Sequence, residues 1–113
     1  MYQSRKAGRI VELPAITSIA ETLGARKTEK FQFETVSRYV SDLVTVSDAS
    51  AIRALLEILE LEKLLTEPAA SCSVAALSAG KIPCKAGDNV VVILCGANIG
   101  MDKVSAWQSA SAS

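Results

Sequence analysis

The middle of the chain carries apolar residues at helical spacing. Ser47 and Asp48 are typical N-cap residues. Over the stretch 49–64 that follows, the apolar residues recur at helical spacing and the charged residues lie off their stripe. The apolar stripe consists of Ile52, Leu55, Leu56, Leu59 and Leu64. This pattern predicts an amphipathic helix with one buried face, and it is the clearest element in the sequence.

Capping residues, prolines and glycines mark the remaining predicted helices. Pro68 suits a first helical turn, and Gly24 and Gly80 are placed to end helices. The predicted helical ranges are part of 1–12, then 16–23, 28–40, 69–77 and 101–108. The helix over 69–77 is small and apolar on every face, which predicts close packing against another element.

Two stretches predict β-strands. Residues 42–46 alternate and are rich in β-branched side chains, whereas 90–94 form a continuous apolar run. A continuous run is typical of parallel sheets that are covered on both faces. Two strands do not make such a sheet, so the sequence predicts an α/β class with an incomplete sheet. It also predicts a piece of a larger assembly or an obligate oligomer.

Composition narrows the possible functions. The 113 residues are enough for one small domain, and the twelve basic and twelve acidic residues give no net charge. This balance predicts neither a nucleic-acid partner nor a membrane partner. There is no histidine, which excludes a Ser-His triad within the sequence. The longest apolar run, 90–95, is too short to span a bilayer.

The three cysteines favour a reducing compartment. Cys72, Cys84 and Cys95 are odd in number, and none forms a CxxC pair. A disulfide framework or a zinc site is therefore disfavoured, and we expect a cytoplasmic protein with free thiols.

Two local features are candidates for a ligand site. Residues 95–98 (CGAN) form the turn after the apolar strand, and ligands of open α/β sheets bind beyond the carboxyl ends of strands. The alternative is a buried structural cysteine. Glu67 precedes Pro68 at a predicted helix N-terminus, where it is either a functional carboxylate or a simple cap. The Glu57 and Glu60 pair is interpreted as part of a solvated helix face.

None of the seven lysines lies in an apolar run that would desolvate its amine, and the sequence contains neither GxGxxG nor a P-loop. The residues themselves therefore indicate no covalent cofactor anchor and no phosphate loop.

Three strings together resemble the pyridoxal-phosphate-dependent serine/threonine dehydratases. Residues 14–25 (PAITSIAETLGA) resemble that family's PxITSVAxxLG(V/A), and 65–69 (LTEPA) followed by 74–77 (VAAL) resemble LVEPA…LAA. Residues 90–99 (VVVILCGANI) resemble its terminal VVIVCGGxNI. The strings occur in the family's order and at about its spacing.

The resemblance implies the tryptophan synthase β-like fold, PLP fold type II. Residues 1–108 would be the C-terminal part of the large catalytic domain, and 109–113 a disordered tail. The implied reaction is β-elimination of water from serine or threonine, giving a 2-oxo acid and ammonia. The implied partners are the missing N-terminal half of the enzyme and a small amino-acid substrate, in a homodimer when the enzyme is complete.

The resemblance also implies site residues. Cys95 would face the pyridine nitrogen of pyridoxal 5′-phosphate, with Gly96 beside the ring. Thr22 would line the substrate side of the cofactor, and Glu67 would be a buried glutamate near it. A cysteine at the nitrogen leaves the ring largely neutral, which suits elimination over transamination.

The backbone carbonyls of Leu23 and Ala25 match positions that bind a monovalent cation, such as K⁺, in that family. Its aldimine lysine and phosphate loop match nothing here and would lie upstream of residue 1. The segment is therefore expected to hold no catalytic residue of its own and to be inactive alone.

Departures from the family strings and two alternatives stay open. Ala97 replaces the family's second glycine, and Ser71 replaces a glycine in the helix after Pro68. Both changes bear on substrate preference. The alternatives are a non-catalytic assembly or binding module derived from the family, and another fold-type-II enzyme such as a serine racemase.

Overall fold

The structure is a computed structural model that describes residues 1–111. The α-helices are α1 (Tyr2–Ala7), α2 (Lys30–Tyr39), α3 (Asp48–Glu62), α4 (Pro68–Ser78) and α5 (Met101–Ser111), with one 3₁₀ turn at Glu21–Leu23. The chain divides into two compact units, Met1–Thr45 and a second that begins at Val46. Within the described residues, no helix is both long enough and apolar enough to cross a bilayer.

In the first unit, α1 contacts α2 through an arginine of α1 whose side chain reaches the C-terminal end of α2. The Arg5 guanidinium donates hydrogen bonds to the carbonyls of Val36, at 3.4 Å, and Ser41, at 3.0 Å, and also to that of Val40. The carbonyls at the end of a helix carry partial negative charge, although that of Val36 already accepts a bond from the Val40 amide at 3.0 Å. A cation placed there satisfies them and holds the two helices together.

The second unit is built on the pairing of α3 with α4. Ser47 begins α3 by accepting a hydrogen bond from the Ser50 amide at 3.2 Å, as its N-cap position predicts. The buried face of α3 consists of Ala51, Ala54, Leu55 and Ile58. The α4 residues buried in the unit are Pro68, Ala69, Ala70, Ser71, Ala75 and Ala76. Small side chains on both helices permit the close packing that the sequence predicts.

The apolar stripe of α3 was only partly predicted. Leu55 is completely buried, but the buried face runs through the alanines, and the larger Ile52, Leu56 and Leu59 are half-buried at its flank. Leu64 is exposed because Lys63, at φ 58°, ends the helix before it. The buried face adjoins the predicted stripe and shares Leu55 with it, and the alanines at 51 and 54 allow α4 to approach.

The two predicted strands are wrong for the residues that the structure describes. Neither 42–46 nor 90–94 forms a β-ladder. A strand needs a neighbour for its backbone donors and acceptors, and neither compact unit contains two such segments. The apolar run is consequently exposed, with 88% of Val91 and 72% of Ile93 open to solvent.

Helix bounds differ from the prediction near residue 20 and at the C-terminus. The helix predicted over 16–23 is only the 3₁₀ turn Glu21–Leu23, although Gly24 does end it. Helix α5 continues to Ser111, so residues 109–111 of the predicted tail are helical. The rest of that tail, 112–113, lies outside the described residues.

We expect Leu55→Ala to lower the free energy of unfolding by about 2–5 kcal/mol, because it removes a fully buried side chain from the α3–α4 packing. Chemical denaturation measures the loss. The matched control is Leu61→Ala on the same helix, where 67% of the side chain is exposed, and it should change stability by less than about 0.5 kcal/mol. Equal losses for the two variants would contradict the burial described here.

Candidate functional site

The first unit holds a loop, residues 14–25, that is closed at its neck by paired hydrogen bonds. The Leu13 amide donates to the Arg26 carbonyl at 2.7 Å, and Arg26 Nε donates to the Leu13 carbonyl at 2.9 Å. The Arg26 guanidinium also pairs with Glu12, at 3.0 Å. These bonds bring the two ends of the loop together and fix its start and finish.

Inside the loop, a tight turn precedes Gly24. The Gly24 amide donates to the Glu21 carbonyl at 2.9 Å. A Cβ at Gly24 would lie 2.8 Å from both that carbonyl and the Ile16 side chain, so the turn requires glycine. Thr22, Leu23 and Ala25, which the sequence assigned to the substrate side and to a cation, are all exposed around this turn.

In the second unit, the residues before α4 meet residues 95–98, the predicted turn. The carbonyl of Gly96 accepts two hydrogen bonds, one from the Glu67 amide and one from Thr66 Oγ1, each at 3.0 Å. These two contacts join segments that are about 30 residues apart in the chain. They place Cys95 and Gly96 at the N-terminal end of α4.

The carboxylate of Glu67 lies directly against Gly96. A Cβ built on Gly96 would be 2.7 Å from Glu67 Cδ and from Oε1, closer than real Cβ atoms approach. Glu67 occupies the N-cap position of α4, but its side chain makes no capping hydrogen bond. Glu67 is thus the N-cap residue by position but forms no capping bond with its side chain, and its carboxylate occupies the place of a side chain at 96.

The cysteines differ in exposure: Cys95, at the site, is exposed, whereas Cys72 is half-buried. Cys95 is exposed, so the interpretation of a buried structural cysteine is wrong, and Cys84 is exposed as well. Burial raises the pKa of the Cys72 thiol, and the nearby charge of Asp48 raises that pKa further. Folding thus favours the neutral Cys72 thiol, and any stability gained from this is present at low pH and lost as the pH rises through the raised pKa.

Two other groups of candidate residues form no site. All seven lysines are exposed, and so are Glu57 and Glu60. Residues 1–111 contain no cluster of three or more histidine, cysteine or acidic side chains able to hold a metal ion. The exposure of Glu57 and Glu60 agrees with their interpretation as part of a solvated helix face.

The structure brings Cys95, Gly96 and Glu67 together in the second unit, while Thr22, Leu23 and Ala25 surround the turn of the first. Sequence analysis missed Thr66 and the role of Ser71. Ser71 is fully buried and donates to the carbonyl of Ala51 on α3 at 2.7 Å. A polar residue within an apolar, helix-packing stretch is a signal for such bonds, because buried hydroxyls are almost always paired.

Comparison with known proteins finds relatives that agree with the family resemblance of the sequence. The family model described as "Pyridoxal-phosphate dependent enzyme" matches residues 1–96. Phenylserine dehydratase of Ralstonia pickettii is 39% identical over 98 residues, which cover 87% of this chain and 30% of that protein. A serine dehydratase-like protein of Rattus norvegicus is 37% identical over 100 residues, covering 81% of this chain and 30% of that protein. The chain thus spans about a third of the length of these relatives.

Solved structures agree on the fold. Maize serine racemase superposes with a TM-score of 0.81 at 25% identity, over 98% of this chain and 34% of that one. A fungal L-serine ammonia-lyase from Rhizomucor miehei gives a TM-score of 0.76 at 23% identity, over 95% of this chain and 36% of that one. At 23% identity the second likeness concerns the fold alone.

We expect Gly96→Ala to lower the free energy of unfolding by about 1 kcal/mol, because the new methyl group must displace the Glu67 carboxylate, the far end of a flexible side chain. Chemical denaturation of the single and double variants measures this. In a Glu67→Ala background the obstacle is gone, so the same glycine substitution should cost markedly less. An identical cost in both backgrounds would show that the carboxylate is not what restricts position 96.

Proposed function

Because the chain belongs to the family of pyridoxal-phosphate-dependent enzymes, we propose that it forms the pyridine-ring side of the active site of a serine/threonine dehydratase. Such an enzyme is an ammonia-lyase that yields a 2-oxo acid and ammonia. The predicted fold class is confirmed as part of a fold-type-II α/β domain. The observation that carries the proposal is the exposed Cys95 beside Gly96, fixed at the N-terminal end of α4.

The residues at 95 and 96 fit a flat aromatic cofactor. The Glu67 carboxylate takes the place of a side chain at Gly96, and Cys95 presents a thiol that is accessible to solvent and could face a ring. Bound pyridoxal phosphate supplies an electron sink for charge that develops at the substrate's α-carbon. A thiol is a weak hydrogen-bonding group, so Cys95 leaves a ring nitrogen largely unprotonated, whereas an aspartate would hold a proton there. That choice favours elimination over transamination.

The remaining assignments follow the family resemblance, for residues of each unit separately. Glu67 places a carboxylate against Gly96, next to the proposed ring position. We assign Thr22 to the substrate side of the cofactor. The carbonyls of Leu23 and Ala25, beside the tight turn of the loop 14–25, are assigned to a monovalent cation such as K⁺. Hard cations of this kind bind oxygen ligands.

We assign the cofactor-bearing lysine and the phosphate-binding loop to residues outside these 113. A lysine that reacts with a carbonyl at neutral pH needs a desolvated or electrostatically perturbed amine, and all seven lysines here are exposed. The chain also covers only 30% of the Ralstonia and rat relatives. On its own, the segment is therefore expected to have no dehydratase activity.

Serine racemase is the second candidate function. The likeness to maize serine racemase covers 98% of this chain at 25% identity. A racemase and a dehydratase differ in what happens after the α-proton leaves, and this difference is measured in the products.

A chimeric enzyme tests the proposal. The matching segment of the Ralstonia pickettii phenylserine dehydratase, about a third of that protein, is replaced by this chain. We expect the chimera to bind pyridoxal phosphate, to show the cofactor's visible absorption, and to release 2-oxo acid from serine or threonine. Chiral analysis of the remaining serine reports racemisation in the same reaction.

Two substitutions at position 95 provide the matched comparison. Cys95→Ser keeps a small uncharged group and should retain most of the elimination rate, whereas Cys95→Asp should lower it, since a carboxylate would keep the ring nitrogen protonated and favour transamination. Equal rates for all three versions would contradict the assignment of Cys95. Racemised serine without 2-oxo acid would favour the racemase. A folded chimera that binds no cofactor would favour a non-catalytic module.

A further inference from the structure

We propose that Thr66 is a positioning residue: its buried hydroxyl holds the Gly96 carbonyl and so sets the placement of the neighbouring Cys95 thiol. The part that concerns the cofactor rests on the proposed function. The part that concerns the turn stands on the hydrogen bonds alone.

The Gly96 carbonyl is held from two sides. Thr66 is only 2% exposed, and its Oγ1 donates to that carbonyl at 3.0 Å, while the Glu67 amide donates to it at the same distance. A carbonyl oxygen has two lone pairs, and both have a donor here. Two donors in different directions restrict the rotation of the peptide plane that follows Gly96 more than one donor does.

The donors themselves are anchored. Thr66 and Glu67 lead directly into α4, whose Ser71 hydroxyl donates to the carbonyl of Ala51 on α3 at 2.7 Å. The hydrogen bonds therefore connect the packed α3–α4 pair to the turn in one continuous path. Any displacement of the turn relative to α4 must break the Thr66 or the Glu67 bond.

A weaker contact lies on the other side of Cys95. The Ser73 hydroxyl, which donates to the Ala70 carbonyl at 2.7 Å, also lies 3.4 Å from the carbonyl of Ile93. Cys95 thus lies between two backbone carbonyls, those of Ile93 and Gly96, that accept hydrogen bonds from α4 and from the residues just before α4. The thiol is exposed, so side-chain packing contributes little, and the backbone bonds fix the position of the Cys95 backbone from which it projects.

The first arm of the test uses this chain and needs no cofactor. Thr66→Val keeps the side chain's shape but removes the donor, and Thr66→Ser keeps the donor. We expect Thr66→Val to speed hydrogen exchange of the Glu67 amide about fivefold, the factor that corresponds to one typical net hydrogen bond, with Thr66→Ser close to the original chain. The Leu55 amide, in the packed core of α3, is the internal control and should not change.

Two results of this arm would overturn the proposal. One is unchanged Glu67 exchange in Thr66→Val. The other is an equal acceleration at Glu67 and Leu55, because that would mean general loosening of the unit rather than release of the turn.

The second arm uses the chimera and reads the cofactor's absorption spectrum. Thr66→Val should shift the absorption maximum or broaden the band, and Thr66→Ser should restore it, because only the position of the ring's neighbour at 95 changes. An unshifted spectrum in a chimera that binds cofactor would overturn the role at the ring. If no version of the chimera binds cofactor, the proposed function fails, and the exchange arm decides the role at the turn separately.

Discussion

The carbonyl of Gly96 is the point at which the site is attached to the fold. It accepts hydrogen bonds from the Thr66 hydroxyl and the Glu67 amide, so the turn that carries Cys95 is fixed to the first residues of α4. The Glu67 carboxylate fills the space that any side chain at 96 would need. The hydrogen bonds use the backbone carbonyl of residue 96, and the contact with the carboxylate uses the absence of a side chain there. Without them, an exposed thiol on an extended segment would have no defined orientation.

Rigidity at this point comes from the pairing of α3 with α4, and the small residues of both helices make that pairing close. Ser71, one of the two departures from the family strings, adds a buried hydrogen bond to the Ala51 carbonyl and so links the two helices. Elsewhere the second unit leaves apolar surface open, most of all at Val91 and Ile93. This agrees with a partial α/β domain, in a chain that spans about a third of its relatives.

Sequence analysis predicted local features better than long-range ones. The N-cap at Ser47, the proline start of α4 and the glycine after the 3₁₀ turn depend on neighbouring residues, and the structure confirms them. The strands were wrong because pairing depends on segments that neither unit supplies. The resemblance predicted the fold class and the family, and it drew attention to Glu67 and Gly96, which the structure brings into contact. It did not predict the Thr66 bond, since that depends on a distance between residues 30 positions apart.

We propose that these 113 residues form a cofactor-facing surface but not the cofactor's covalent anchor. The most direct measurement is to incubate the chain with pyridoxal phosphate, reduce with borohydride, and determine the intact mass and the labelled residues. Because all seven lysines are exposed, the account predicts scattered, substoichiometric labelling over several of them. One stoichiometric adduct on a single lysine would mean that this chain builds its own covalent site, and would contradict the claim.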